Sequence, residues 1–210
     1  MRDISTAGPD GTRLVLDLAL TLRHDGSGGV ADDLLAPEDL TAWVREHATE
    51  LPLDAGFTGD AENLRQVREV RAAVRALFAR AVRPGEPSPA DARRLLPAAD
   101  ALVRLNTAAA RVPTVPVLHW PEGDDAPALR ETNTQDAPET DLLTAALARA
   151  ALAFLTGADR QRLRACHAPR CVRYFLKEHP RQEWCKPSCG NRARVARHHE
   201  RHNSLTQKAT

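Results

Sequence analysis

The first 165 residues of this 210-residue chain contain no cysteine, and only three of its 29 basic residues are lysine. With the high alanine content, that excess of arginine reads as a coding bias and carries no functional meaning. No apolar run approaches the length needed to span a bilayer, which predicts no membrane segment. The N-terminus, MRDISTAGPDGT, has charges and turn formers where a targeting signal needs an apolar stretch, so a cytoplasmic protein is expected. Also missing are a Gly-rich phosphate loop, a nucleophile elbow and an HExxH helix. His24, His47 and His119 are scattered along the chain, and no enzyme is expected.

What is present is uneven in charge. The formal net charge of +1 conceals an acidic body, with 16 Arg/Lys against 25 Asp/Glu over residues 1–159, and a basic end, with 13 against 3 over 160–210. That split is the footprint of a body carrying a basic interaction module. The expected organisation is a helical domain over 1–158, which senses a signal or forms a homodimer, followed by a finger over 159–210.

Apolar periodicity makes the body mainly α. Leu14–Leu22 reads as a buried helix closed by a GSGG loop, and Leu34–Glu50 as a helix with Pro37 at its first position and Glu38 and Asp39 at its positive end. Asp60 caps the clearest helix, Ala61–Arg83, whose apolar stripe runs from Leu64 to Val82. Arg65, Arg68, Arg71 and Arg75 line another side of it and, with Glu62 and Glu69 nearby, read as a solvated or ion-paired face. Ser88 opens a helix to about Arg111 with a kink at Pro97. Val112–Trp120 and Ala128–Thr132 make a small β-hairpin, and Pro138 begins a last body helix that stops at Gly157. A pocket for a small-molecule effector would draw on Trp43, Phe78 and Trp120.

All the cysteines fall in one stretch. Four residues separate Cys166 from Cys171, three separate Cys185 from Cys189, and thirteen lie between the pairs. Each close pair can clamp one edge of a tetrahedron, and a reducing compartment favours thiolates on a metal over two disulfides. Zinc is the expected cofactor, held by Cys166, Cys171, Cys185 and Cys189, with iron the residual candidate. A filled coordination sphere leaves no open position for catalysis. Val172–Leu176 is expected to pair with Gln182–Trp184, and Cys189 to lie in the first turn of a closing helix. Knuckle, hairpin and helix together make a treble-clef-like finger. Trp184 and Phe175 would cover the sulfurs, and Lys186 and Arg192 would offset their charge. His167, His198, His199 and His202 are read as non-ligands.

On the closing helix Arg194, Arg197, His198 and Arg201 fall at i, i+3, i+4 and i+7, which is one face. Guanidinium forks match phosphate oxygens, so these residues, with Arg192, are the candidate contacts to double-stranded DNA. Four phosphates engaged would give a slope of log affinity against log salt of about −3.6. The alternative is a protein-interaction module, its finger a structural clip and its arginines paired with carboxylates of the acidic body or of a partner.

The run Cys189-Gly190-Asn191-Arg192, preceded by Trp184-Cys185 and followed by ARVARHHER, closely resembles the CGNR zinc-finger family, and Cys166 and Cys171 match that family's first pair. The resemblance implies a helical N-terminal domain of stress-induced transcription regulators ahead of the finger, and DNA binding by analogy. Asp17 and Thr21, the DLLAPEDLTAW segment around Trp43, and Leu105-Asn106 are similar to that domain. Where such proteins read Asp-x-x-Asn-Thr, this chain has Leu20 in place of the asparagine. It also has YFLKEHP where an acidic, serine-containing turn is usual.

Overall fold

The computed structural model describes residues 3–4, 9–27, 29–82, 85–123, 126–133 and 136–208, with side chains described between residues 11 and 201 apart from those at the gaps and Arg130. Helix α1 (Pro9–Leu20) begins earlier than its apolar run and buries Leu14, Val15, Leu18 and Ala19. Strands β2 (Leu22–His24) and β3 (Val30–Asp32) pair antiparallel as a hairpin, with Gly26 at φ +96°. Helix α2 (Pro37–Glu46) starts at its proline, and Asp39 Oδ2 accepts the N–H groups of Leu35 and Ala36, both at 2.8 Å.

Helix α3 (Ala61–Ala81) is capped by Asp60, whose carboxylate accepts from Asn63 N at 2.7 Å. It crosses the middle of the molecule against α6 (Glu139–Thr156), an alanine- and leucine-rich helix buried along most of its length. The small side chains of α6 allow close approach on several sides, so α1, α3 and α5 (Ala98–Ala110) all pack on it. The single kinked helix expected over 88–111 is instead two. Helix α4 (Pro89–Ala92) is one turn, and Leu95–Pro97 separates it from α5, because Pro97 would block the helical bonding of the preceding turn. Strands β4 (Thr114–His119) and β5 (Ala128–Asn133) form the expected hairpin, joined on its far side by β1 (Asp3–Ile4). Pro116, which has no N–H to donate, is tolerated because β4 is an edge strand.

Of the two alternatives expected for the arginine row of α3, solvated or ion-paired, the structure shows ion pairs along its length, and the row goes from exposed to buried. Arg65 is exposed and pairs with Glu62 and Glu69. Arg71 is only 4% exposed and grips Asp32 through two bonds of 2.6 Å while donating to Thr21 Oγ1 at 2.8 Å. Burial opposes ionisation of Asp32, yet the bonds from Arg71 hold its carboxyl below the usual range. Arg75 is 2% exposed and is engaged on every side. It pairs with Asp91 at 2.8 Å, donates to Ala19 O and Val172 O, and lies over the ring of Tyr174. Tyr174 donates to Asp91 at 3.0 Å, and burial pushes its phenol well above its ordinary pKa, so it stays a donor. Removing one partner of such a pair strands the other charge away from water, at a cost of about 3–5 kcal/mol. Arg75→Met is therefore expected to lower the melting temperature by on the order of 10 °C, measured calorimetrically. An unchanged melting point would mean that the network contributes nothing.

Candidate metal centre and basic helix

After a 3-10 turn at Ala158–Arg162, strand β6 (Leu163–Ala165) pairs antiparallel with β7 (Tyr174–Leu176). This corrects the expected partner of the Val172–Leu176 segment. Gln182–Trp184 is not a strand, and the hairpin instead encloses the first cysteine pair, with Cys166 N donating to Arg173 O at 2.9 Å. The tight turn between those cysteines places Arg170 at φ 63° and closes through Cys171 N to Ala168 O at 2.9 Å. The second pair comes from the start of helix α7 (Pro187–Lys208). Cys189 is its third residue, where the positive end of the helix favours a thiolate.

The sulfurs converge. Zinc–sulfur bonds of about 2.3 Å place tetrahedral ligands about 3.8 Å apart. Here Cys171–Cys185 is 3.8 Å, Cys185–Cys189 3.5 Å and Cys171–Cys189 3.9 Å. All four sulfurs lie within 4.8 Å of one another, and none is in a disulfide. The donor set and its spacing fit a zinc ion with four thiolates and no open position. Cys166, Cys171 and Cys189 are buried, and Cys185 is half-buried. Without the metal, hydrogen bonds from Cys171 and Cys185 hold the Cys166 thiol well below its ordinary range, and sharing that site pushes Cys171 and Cys185 up. The metal must displace those protons when it binds.

Around the sulfurs, Phe175 and Trp184 pack as the sequence suggests. A Cβ at Gly190 would lie 3.0 Å from Trp184 Cδ1, so the indole rests directly on the helix backbone at the one residue without a side chain. Gly190→Val is expected to lever the indole away and to lower stability by about 1–3 kcal/mol, read by thermal melting of the zinc-loaded chain.

The basic residues divide into two groups. Arg192 is half-buried and turned inward, with Nη2 3.4 Å from Cys189 Sγ, where it offsets the charge of the thiolates. Lys186, expected to share that task, is exposed and has no contact with a sulfur among the described residues. Arg194, Arg197, Arg201 and His198 are exposed, and no carboxylate pairs with any of the three arginines among the described residues. Arg194 is held by Asn191 Oδ1, and Arg197 donates to Ala193 O at 3.4 Å. The rings of His198 and His199 meet edge to face, away from the sulfurs. The side chain of His202 lies outside the described residues.

Sequence reasoning missed the fastening of the finger to the body. His167 is no ligand; its Nε2–H donates to Glu86 O at 2.7 Å. Ser88 Oγ donates to Cys171 O, Arg75 reaches Val172 O, and Leu163 and Tyr174 belong to the main core. Ser88 and Asp91 carried a signal only as helix-start residues, which gave no hint of a partner 83 residues away. The expected pocket does not form either. Phe78 is sealed in the core, Trp120 is 61% exposed beside the hairpin, and Trp43 lines a cavity that includes neither of them.

Comparison with known families gives two matches. The family described as ABATE, putative stress-induced transcription regulator, matches residues 12–158, and the CGNR zinc finger matches residues 162–202. Among curated proteins no match is found. No helix among the described residues is long and apolar enough to cross a membrane.

Proposed function

From the premise that this chain belongs to the ABATE family and closes in a CGNR zinc finger, we propose that it is a DNA-binding transcription regulator, the outer face of α7 contacting duplex DNA. The observation that supports this reading is the stripe of Arg194, Arg197 and Arg201, exposed and without carboxylate partners among the described residues, on a helix pinned at Cys189. Had the arginines been a clip, they would pair with the acidic body. The clip exists, but it is made by other residues of the finger, Cys171, Val172 and Tyr174. That division leaves the cationic side free for phosphates. Regulation in response to stress, a cytoplasmic location that keeps the thiolates reduced, a body that senses the signal or pairs two copies, and no enzymatic activity complete the proposal. A selection of duplexes from a random pool by the zinc-loaded chain tests it. Enrichment of a common sequence is expected, and recovery of no duplex even at low salt would contradict it.

A further inference from the structure

Cys185 differs from the other three cysteines. Cys166, Cys171 and Cys189 are buried, whereas Cys185 is half-buried and lines a cavity. Hydrogen bonding sets it apart as well. Backbone N–H groups of Ala168 and Cys185 donate to Cys166 Sγ, that of Arg173 donates to Cys171 Sγ, and Arg192 donates to Cys189 Sγ at 3.4 Å. At Cys185 Sγ the largest interactions are with neighbouring sulfurs. An N–H donor stabilises a thiolate and blunts it as a nucleophile. Of four sulfurs that share one site, Cys185 is therefore the one best placed to attack an electrophile arriving from outside.

The cavity in front of it selects the reagent. It holds about 500 Å³ between α1, the 3-10 turn and the finger, a volume in the range of small-molecule sites. Leu16, Leu20, Phe175 and Leu176 give it an apolar wall. Its charges cancel. Asp159 is bonded to Arg162 at 2.8 Å and to Thr12 at 3.2 Å, and Asp17 lies 3.5 Å from Arg13. Arg173 and Glu178, one of each sign, also line it, and neither forms an ion pair among the described residues. Balanced charge beside an apolar wall suits a neutral organic molecule rather than an ion. A peroxide would need no such room. A carbonyl oxygen on the occupant would find a cation in Arg173 as negative charge develops on it.

We propose that Cys185 is a modification site for a neutral α,β-unsaturated carbonyl compound of quinone size, which the cavity holds beside the sulfur. The sulfur gives an electron pair to the β-carbon and forms an S–C bond. The electron pair of the C=C bond moves onto the carbonyl oxygen, which takes a proton from water. With a quinone, loss of the ring proton at the attacked carbon then leaves a hydroquinone thioether, and no further oxidant is required. The thioether is neutral and no longer supplies an anionic fourth ligand, so the site loses its hold on zinc and α7 loses its pin at Cys189. That the adduct acts as the signal of a regulator rests on the function proposed above; its formation does not.

The test treats the zinc-loaded full chain, without DNA and under argon, with less than one equivalent of 1,4-naphthoquinone. Peptide mass spectrometry should place the adduct on Cys185, and a chromogenic chelator should record one zinc released per adduct. The rate should saturate with quinone concentration, because binding in the cavity precedes the bond. Leu16→Trp, which fills the cavity, should slow the quinone by at least about tenfold, yet barely slow acrolein, which is too small to depend on the cavity. Val195→Trp, on the exposed side of α7, should change neither. A first adduct on another residue or a rate that rises linearly without saturating would overturn the proposal, and both are read on the natural sequence. Equal rates for Leu16→Trp and the natural chain, in a variant that keeps its zinc and its circular dichroism, would overturn it too. Fluorescence anisotropy with duplex DNA, run on the untreated chain, separates the two ideas. DNA binding without a Cys185 adduct removes only the modification site, and an adduct without DNA binding removes only the regulator.

Discussion

Stripping the zinc with a chelator, or replacing Cys189 by Ser, is expected to unfold the finger and to lower the melting temperature of the whole chain by more than about 10 °C. The size of the effect follows from two sources. Structural zinc contributes about 10–16 kcal/mol of apparent binding free energy in small fingers, and here that energy organises a segment with little secondary structure between Leu176 and Pro187. The finger is also not independent of the body. Leu163 and Tyr174 lie in the principal core, and Tyr174 completes the buried network of Arg75 and Asp91. Loss of the metal therefore exposes apolar surface well beyond the sulfurs. Because protons compete for Cys171 and Cys185, whose thiols are raised in the metal-free cluster, apparent zinc affinity should fall as pH falls, with proton release on binding at neutral pH. Calorimetry with and without chelator checks the first statement, and an unchanged transition would contradict it.

The second large effect concerns the outer face of α7. Replacing Arg194, Arg197 and Arg201 together by Ala should weaken duplex DNA binding by at least about 100-fold, since each charge-assisted contact contributes on the order of 1.5–3 kcal/mol. The melting temperature should change little, because these side chains are exposed and alanine favours the helix. Arg192→Ala should behave in the opposite way. It removes the group facing Cys189 Sγ, so metal retention and stability should suffer first. If the triple substitution lowered stability and left DNA binding intact, the arginines would belong to a clip.

Local chemistry made much of this legible in advance. The ligand spacing of Cys166, Cys171, Cys185 and Cys189, the cap at Asp60, the proline start of α2 and the stop at Gly157 each depend on residues close in sequence. What stayed hidden depends on distance. Nothing near Val172–Leu176 distinguishes Gln182–Trp184 from Leu163–Ala165 as its strand partner, because pairing is decided by where the hairpin lands on the core. Arg75 shares its spacing with exposed Arg65, and only the arrival of Asp91, Ala19 and Val172 makes one a buried hub and the other a surface residue. Arg192 falls in the same basic run as Arg194, yet it turns toward Cys189 while Arg194 faces solvent. Residue type alone groups Trp43, Phe78 and Trp120 into a pocket, whereas Phe78 packs on Phe154 and Tyr174 in the core.

The most direct test of a zinc-pinned helix that grips DNA is the salt dependence of duplex binding by the zinc-loaded chain. With Arg192 committed to the thiolates, three arginines remain for phosphates, and log affinity should fall with log salt at a slope of about −2.7, shallower than four contacts would give. Affinity that does not vary with salt, or no binding at low salt, would contradict it.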